Sequence, residues 1–138
     1  MSGLQLDKDA LSAFLTEVFP QTSGTYAITE LAPMRATMRY FITEQHLRPG
    51  GTVSGPTMFT LADLAFYAAV LAMIGREPLT VTTNLNINFL RKPAPGDLLG
   101  EARILKLGRT LATGDVTLRS LEDPQPVAHA QATYAIPR

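Results

Sequence analysis

The sequence predicts an α+β domain in which a curved antiparallel sheet of about six strands wraps around one long buried helix. The stretch Pro56–Ile74 is long, rich in Ala and Leu, and apolar on almost every side, which is typical of a helix inside a protein. Two strand-like runs precede this helix and four follow it. We find no internal repeat and no linker, so residues 1–138 are expected to form a single domain.

The composition narrows the class of protein. Hydrophobic residues make up 46% of the chain and charged residues 17%, which predicts a compact fold with part of its surface covered by another subunit. The formal net charge is zero, so no electrostatic footprint for nucleic acid is expected. The absence of Cys excludes a disulfide framework, a thiolate metal site and a Cys nucleophile. The absence of Cys also fits a cytoplasmic protein, and no signal peptide is recognisable in MSGLQLDKDALSAF.

The N-terminal third is predicted to contain one helix and two strands. Apolar residues recur at spacings of three and four between Asp7 and Phe19, which predicts an amphipathic helix with Asp7 as its N-cap and Pro20 as its end. Strands are expected at Thr25–Leu31 and Arg35–Thr43, joined by a hairpin connection at Ala32-Pro33. A loop follows and contains Pro49, Gly50 and Gly51.

The central helix has recognisable end signals. Pro56 suits the first helical position, Ser54 and Gly55 suit the cap before it, and Gly75 suits the stop. The stretch is also just long enough to span a membrane. We prefer a core helix, because Asp63 lies near its middle and a charge at mid-bilayer is costly.

Four further strands are expected after the helix. The first alternates, with apolar residues and Thr83 on a predicted core face and three Asn residues on the opposite face. The Asn face is either solvent-exposed or a face-to-face contact in a tetramer. The last strand places small Ala side chains and Tyr134 on one face, which allows a helix to approach closely. The strands are Thr80–Leu90 (Val81, Thr83, Leu85, Ile87 and Phe89 facing the core; Asn84, Asn86 and Asn88 opposite), Leu98–Leu107, Leu111–Ser120 and Val127–Ile136.

Asp63 is the first candidate for chemistry, because it is the only residue with a charged side chain in a helix that otherwise belongs to the core. A buried carboxylate is costly unless it is paired or hydrogen-bonded, and functional sites tolerate that cost because burial tunes the pKa of the group. The alternatives are that Asp63 faces a solvated groove or bonds Thr60 one turn earlier.

The start of the same helix is the second candidate. The free N–H groups of a first turn carry a partial positive charge, and Gly55 lets a substrate carbonyl approach them, as in an oxyanion site. The alternative is an ordinary helix cap formed by Ser54. Gly55 and Asp63 are eight positions apart, a rise of about 12 Å, which is too far for both to act on one carbon. Two antiparallel copies of the helix across a two-fold axis would bring them together, so a shared site requires at least a dimer.

Three segments resemble the PaaI-like group of hotdog-fold thioesterases: SGPTMFTLADLAFYAA, LNINFLRKPAPGDLLGEARILKLGR and AHAQATYAI. The resemblance covers about three-quarters of the chain and implies a hotdog fold, a dimer or a dimer of dimers, and action on acyl-CoA thioesters. It implies that Asp63 is the catalytic base or nucleophile, that the N–H of Gly55 polarises the carbonyl, and that Thr82 or Thr83 helps to position the attacking water. Ser54 and Pro56 depart from the His and second Gly of the family's pattern, and Arg48 stands about where many members have Asn.

Weaker candidates surround these positions. Phe59 and Tyr67 lie four residues either side of Asp63 and are expected to line the pocket if they are not simply core residues. Two basic turns could meet the phosphates of coenzyme A, or could be solvated charges. His46 and His129 lack the spacing of metal ligands, so no metal is predicted. The basic-turn candidates are Arg91, Lys92, Gly108 and Arg109.

The primary hypothesis is therefore an acyl-CoA thioesterase that hydrolyses a small or medium acyl- or aryl-CoA to the free acid and CoA, with CoA as part of the substrate and no separate cofactor. The alternative is a non-catalytic acyl-CoA or aryl-ligand binding protein on the same scaffold, prompted by Ser54 and Pro56. A hotdog dehydratase ranks last, because no Asp-His or Glu-His pair stands near the helix start.

Overall fold

The computed structural model describes residues 3–137 and consists of one sheet and two α-helices. All six strands pair antiparallel in the order β1-β2-β4-β5-β6-β3, and the sheet curls around α2. The predicted α+β hotdog architecture is confirmed. The elements are α1 (Lys8–Val18), β1 (Tyr26–Ala32), β2 (Arg35–Tyr40), α2 (Gly55–Ile74), β3 (Val81–Phe89), β4 (Leu98–Leu107), β5 (Leu111–Ser120) and β6 (Pro126–Ala135), with short 3-10 turns at Pro20–Thr22 and Glu44–His46.

The long helix α2 is the centre of the core, as its apolar sequence predicts. It begins at Gly55, one residue before the predicted start, and Gly75 follows its last residue with a positive φ of 95°. By length and composition α2 could cross a membrane, but 78% of its most apolar stretch is buried inside this fold. The helix therefore uses its apolar surface to contact the sheet, and the interpretation as a core helix is supported.

Small residues on the sheet allow α2 to approach closely. Ala128, Ala130 and Ala132 of β6 are all buried, as the pattern of this strand predicts. Gly114 of β5 is tighter still, because a Cβ built there would lie 2.0 Å from the carbonyl oxygen of Arg103 and 2.7 Å from the ring of Phe66. Gly114 therefore leaves the hollow into which the fully buried Phe66 of α2 packs.

The N-terminal elements form as predicted, with small shifts of their ends. Asp7 caps α1 by accepting a hydrogen bond from the Ala10 N–H at 2.8 Å. After Pro20 the chain makes one turn of 3-10 helix before β1 instead of running directly into the strand. The strand β2 ends at Tyr40, three residues earlier than predicted, because the Ile42 N–H bonds the side chain of Asp97.

The strand β3 differs from its prediction. It lies at the edge of the sheet with β6 as its one neighbour, and its expected core face is only half-buried at Leu85 and Ile87. Val81 and Phe89 are 54% and 52% exposed, and Thr83 is also exposed. The predicted alternation is wrong at these ends because a bulge interrupts the strand near Thr83 and because an edge strand is covered on one side only.

Candidate functional site

The carboxylate of Asp63 is held by two hydroxyl groups from the sheet. The hydroxyl of Thr82 donates to Asp63 Oδ1 at 2.7 Å, and the hydroxyl of Tyr134 donates to the same oxygen at 2.5 Å. The Tyr134 hydroxyl also lies 2.9 Å from the main-chain carbonyl oxygen of Asp63. Thr60 bonds the carbonyl of Pro56 instead, so the predicted alternative of a Thr60–Asp63 contact is not the arrangement found. Both bonds to the carboxylate end on Oδ1, which leaves Oδ2 for a further partner.

The bulge in β3 explains why Thr82, and not Thr83, reaches the helix. Thr82 pairs with Tyr134 and Asn84 pairs with Thr133, so Thr83 is the extra residue of the strand. Residues that pair across two strands lie on the same face of the sheet. Tyr134 of β6 is buried and faces inward, so its partner on β3 faces inward too. Thr82 therefore shares the inner face with Tyr134, whereas the hydroxyl of Thr83 bonds the carbonyl oxygen of Thr133.

Tyr134 is a site residue that the sequence interpretation placed in the core. It is 3% exposed, its ring packs against those of Phe66 and Tyr67 with centroids 5.5 and 6.0 Å away, and its hydroxyl contacts Asp63. Burial, and then the charge of Asp63 beside it, raise the pKa of the Tyr134 phenol well above its ordinary value of 10.0. The phenol therefore stays protonated and remains a hydrogen-bond donor throughout the neutral range. Alternating apolar residues signal a buried Tyr but do not show that its hydroxyl meets a carboxylate.

This raised pKa predicts an alkaline loss of stability. Above pH 10 the unfolded chain releases the Tyr134 proton and the folded chain keeps it, so the folded state loses about 1.4 kcal/mol per pH unit from this group. Below pH 10 the contribution is constant. Denaturant titrations of the parent chain and of Tyr134→Phe between pH 9 and 11 measure it, and the variant should show the shallower decline. Equal slopes for the two proteins would contradict the burial of the phenol.

A pocket of about 480 Å³ opens beside Asp63. Its walls come from the end of α1 and the turn after it, from the middle of α2, from the start of β3 and the segment before it, and from β6. Tyr67 is part of this lining, and its hydroxyl donates to the carbonyl of Pro78 at 3.1 Å, whereas Phe59 is outside the lining and 39% exposed. The lining residues are Val18, Phe19, Gln21, Asp63, Leu64, Tyr67, Pro78, Thr80, Val81, Thr82 and Tyr134.

The N-terminus of α2 is a separate feature of the chain. Ser54 caps the helix, with its Oγ 3.3 Å from the Thr57 N–H and 2.8 Å from the Thr57 hydroxyl. Gly55 lies under the ring of Phe89 at the end of β3, since a Cβ at Gly55 would be 3.3 Å from that ring. Neither Ser54 nor Gly55 lines the pocket of Asp63. Within one chain the two predicted halves of the site are therefore apart, as the helix length requires.

The predicted phosphate contacts lie at opposite ends of the sheet. Arg91 follows β3 and bonds the carbonyl of Pro126 at 3.0 Å, so it and Lys92 lie near the Gly55 end. Gly108 and Arg109 form the turn between β4 and β5, at the end where β3 begins and Thr82 meets Asp63. One chain does not bring these four residues together.

The two histidines take part in local polar contacts. His46 accepts a hydrogen bond from the Thr43 N–H at 2.8 Å. His129 of β6 lies 3.0 Å from a carboxylate oxygen of Asp115 on the neighbouring strand β5. Asp115 also forms an ion pair with Arg103. Between residues 3 and 137, no group of three or more His, Cys, Asp or Glu side chains is placed to hold a metal ion.

Comparisons with known proteins agree with the fold and with the thioesterase resemblance. A family profile described as the thioesterase superfamily matches residues 50–127, which is more than half of the chain. A Pseudomonas aeruginosa protein with a provisional esterase name is 34% identical over 116 residues, covering 83% of this chain and 84% of that protein. Human acyl-coenzyme A thioesterase 13 is 27% identical over 116 residues, covering 83% of this chain and 82% of that enzyme.

Solved structures extend the agreement to almost the whole chain. A crystal structure of a protein from Silicibacter sp. TM1040 with a provisional thioesterase name superposes with a TM-score of 0.93 at 57% identity, covering 99% of this chain and 96% of that one. A variant of the phenylacetic acid degradation protein PaaI from Thermus thermophilus gives a TM-score of 0.73 at 25% identity, covering 84% and 97% of the two chains.

Proposed function

Because this chain belongs to the thioesterase superfamily, we propose that it hydrolyses a small or medium acyl- or aryl-CoA thioester to the free acid and CoA. Family membership and the names of its relatives support a thioester hydrolase. The proposal that the substrate is a small or medium acyl- or aryl-CoA rests on the carboxylate of Asp63. Two hydroxyl groups hold this carboxylate at the edge of a partly apolar pocket. A pocket of this size accommodates an acyl group but not the whole of a CoA ester.

The proposed chemistry uses the free oxygen of Asp63. Thr82 and Tyr134 fix Oδ1, so Oδ2 accepts a hydrogen bond from a water molecule. As the water oxygen attacks the thioester carbon, its proton passes to Oδ2, the C–S bond breaks, and the electrons leave with the CoA sulfur. In the alternative route Oδ2 itself attacks the thioester carbon, and the C–S bond breaks as the CoA thiolate leaves. Water then hydrolyses the resulting anhydride to the free acid and restores the Asp63 carboxylate. In either route Tyr134 and Thr82 are positioning residues, and neither route requires a cofactor.

The oxyanion is proposed to lie at the N-terminus of another copy of α2. The N–H of Gly55 donates to it, and the Ser54 side chain stabilises the helix start by capping Thr57. Phe89, which packs over Gly55, would exclude water from this end of the site. Arg91, Lys92, Gly108 and Arg109 belong to this proposal as contacts of the CoA phosphates, because a two-fold arrangement brings the two ends of the sheet towards each other.

A homo-oligomer is therefore part of the proposed function. The support is the exposed edge of β3, which offers unpaired backbone groups together with the exposed side chains of Val81 and Phe89. If two β3 strands pair antiparallel, the Thr82 end of one meets the Phe89 end of the other, so Asp63 of one chain approaches Gly55 of the second. A dimer is the smallest assembly that completes the site, and a dimer of dimers repeats it.

Mixing two inactive variants tests the shared site. Gly55→Pro removes the N–H and keeps a residue that suits the first helical turn, and Ser54 before it is already extended at ψ 153°. When Asp63→Asn and Gly55→Pro chains are dissociated, mixed and reassembled, half of the dimers carry one intact site, so about one quarter of the parental activity should return.

The controls for this mixture are matched. Gly55→Ala keeps the N–H and should retain activity on its own, provided that the Phe89 ring moves by a few tenths of an ångström. Sedimentation should show a dimer or tetramer at micromolar concentration. No recovered activity in a mixture shown to exchange chains, or a monomer in sedimentation, would contradict the shared site.

Thiol release from a panel of acyl-CoA esters tests the function itself. Turnover with at least one member is expected. Saturable binding without thiol release would instead favour the second candidate, a non-catalytic acyl-CoA binding protein, for which Pro56 and Ser54 in place of the family's Gly and His are the motive. We also propose a cytoplasmic location, because the chain contains no Cys.

A further inference from the structure

Tyr67 links α2 to both of the elements that hold the Asp63 carboxylate. It follows Asp63 by four positions and therefore lies on the same face of the helix. Its ring stacks on that of Tyr134, with the two centroids 6.0 Å apart and the two planes at 29°. Its hydroxyl donates to the carbonyl oxygen of Pro78 at 3.1 Å, in the segment that leads into Thr82. One side chain thus contacts β6 and the segment before β3, which carry the two donors to Asp63.

The segment 76–80, which joins α2 to β3, has few attachments to the rest of the fold. Its first four residues are exposed, and its main-chain hydrogen bonds run only within the segment and to the adjacent Gly75. Among residues 3–137, the Tyr67 hydroxyl is the one side-chain group that forms a hydrogen bond with this segment. The bond from Tyr67 to Pro78 therefore anchors the segment to the central helix.

The position of Thr82 is weakly fixed by the sheet alone. The strand β3 lies at the edge with β6 as its one neighbour, and a bulge follows at once between Thr82 and Asn84. Thr82 is also exposed, so packing does not hold its side chain. A movement of the segment 76–80 would therefore displace the Thr82 hydroxyl from its 2.7 Å bond to Asp63.

We propose that Tyr67 is a positioning residue for the hydrolysis. Its hydroxyl anchors Pro78, and this anchor keeps the Thr82 hydroxyl on Asp63 Oδ1, so that Oδ2 stays free for the reaction. The role rests on the proposed thioesterase function and adds to it a residue that does not itself bond the carboxylate. A pocket residue that only contacts the acyl group acts on KM, whereas a residue that positions the reacting carboxylate acts on kcat.

Tyr67→Phe keeps the ring and removes the bond to Pro78. It should lower kcat about three- to fivefold with KM unchanged, because loosening a donor costs part of what deleting it costs. Tyr40→Phe is the matched control, since Tyr40 of β2 is 6% exposed against 8% for Tyr67 and is not part of the pocket of Asp63. Its kcat should equal that of the parent chain. The same loss in Tyr40→Phe, or an effect of Tyr67→Phe on KM alone, would overturn the proposal.

A double-mutant cycle shows whether Tyr67 acts through Thr82. In Thr82→Val there is no hydroxyl to position, so adding Tyr67→Phe should cause no further loss of kcat. In Tyr134→Phe the loss caused by Tyr67→Phe should remain, because Thr82 is then the remaining donor to Oδ1. If Tyr67→Phe lowers kcat as much in Thr82→Val as in the parent chain, Tyr67 does not act through Thr82 and the proposal is wrong.

Amide hydrogen exchange separates the anchor from the hydrolysis. In Tyr67→Phe the N–H groups of residues 77–84 should exchange faster than in the parent chain, while those of β5 keep their rates. Tyr40→Phe should leave both regions unchanged. If no thioester is hydrolysed but exchange rises in residues 77–84 of Tyr67→Phe, the proposed hydrolysis fails and the anchoring of Thr82 stands. If thioesters are hydrolysed and either this exchange or kcat is unchanged in Tyr67→Phe, the positioning role fails and the hydrolysis stands.

Discussion

Asp63→Asn should fold like the parent chain and lose at least about a hundredfold in kcat on the best acyl-CoA, since removing a general base costs this much or more. Asn keeps an oxygen that can accept the bonds from Thr82 and Tyr134, so the local packing should survive. What it loses is the second carboxylate oxygen, which in the proposed mechanism takes the proton from water or attacks the carbon. The measurement is kcat and KM together with a thermal melt.

Two companion variants show whether the hydroxyl groups act through Asp63. Tyr134→Phe and Thr82→Val each remove one donor to Oδ1, and each should lower kcat by roughly tenfold with little change in KM. An Asp63→Asn protein that melts normally and turns over at the parental rate would show that Asp63 is structural.

Gly114→Ala should destabilise the fold by about 3–5 kcal/mol, or prevent folding, since strain of this kind cannot be relieved by a rotamer change. The added Cβ would lie 2.0 Å from the carbonyl oxygen of Arg103 and 2.9 Å from the Cα of Ile104. Both atoms belong to the backbone of β4, so the strands themselves would have to separate. The ring of Phe66, 2.7 Å away, would also have to move.

Gly100→Ala is the matched control for this substitution. Gly100 lies on β4, also against α2, but a Cβ there meets the side chains of Leu61 at 3.1 Å and Ala65 at 3.4 Å. A Leu side chain can adjust, so the cost should be about 1–3 kcal/mol. Denaturant unfolding measures both variants. If Gly114→Ala is no less stable than Gly100→Ala, the contacts with the β4 backbone and the Phe66 ring are not the reason that position 114 requires Gly.

The architecture follows from sequence patterns that are strong and local. An all-apolar helix with a cap and a stop, and a strand whose inward positions are Ala, predict α2 and β6 from single segments. Asp63 is conspicuous for the same reason, as the one charge inside α2. The order of the strands could not be predicted this way, because it depends on pairing between distant segments.

The details of the site depend on irregularities that periodic patterns do not reveal. The bulge near Thr83 transfers Thr82 to the inner face of the sheet, and strict alternation predicts the opposite. Tyr134 matches the inward pattern of β6, so its sequence signal is that of a core residue and not of a partner for Asp63.

One wall of the pocket lies far from Asp63 along the chain. Val18, Phe19 and Gln21 form this wall, and all three precede the segment 50–127 that matches the superfamily profile, whereas Asp63 lies within that segment. None of the three is a hydrogen-bond partner of the Asp63 carboxylate, which is held by Thr82 and Tyr134. If the proposed thioesterase function holds, substitutions in this short N-terminal segment should therefore change which acyl group is accepted while the contacts of Asp63 stay in place.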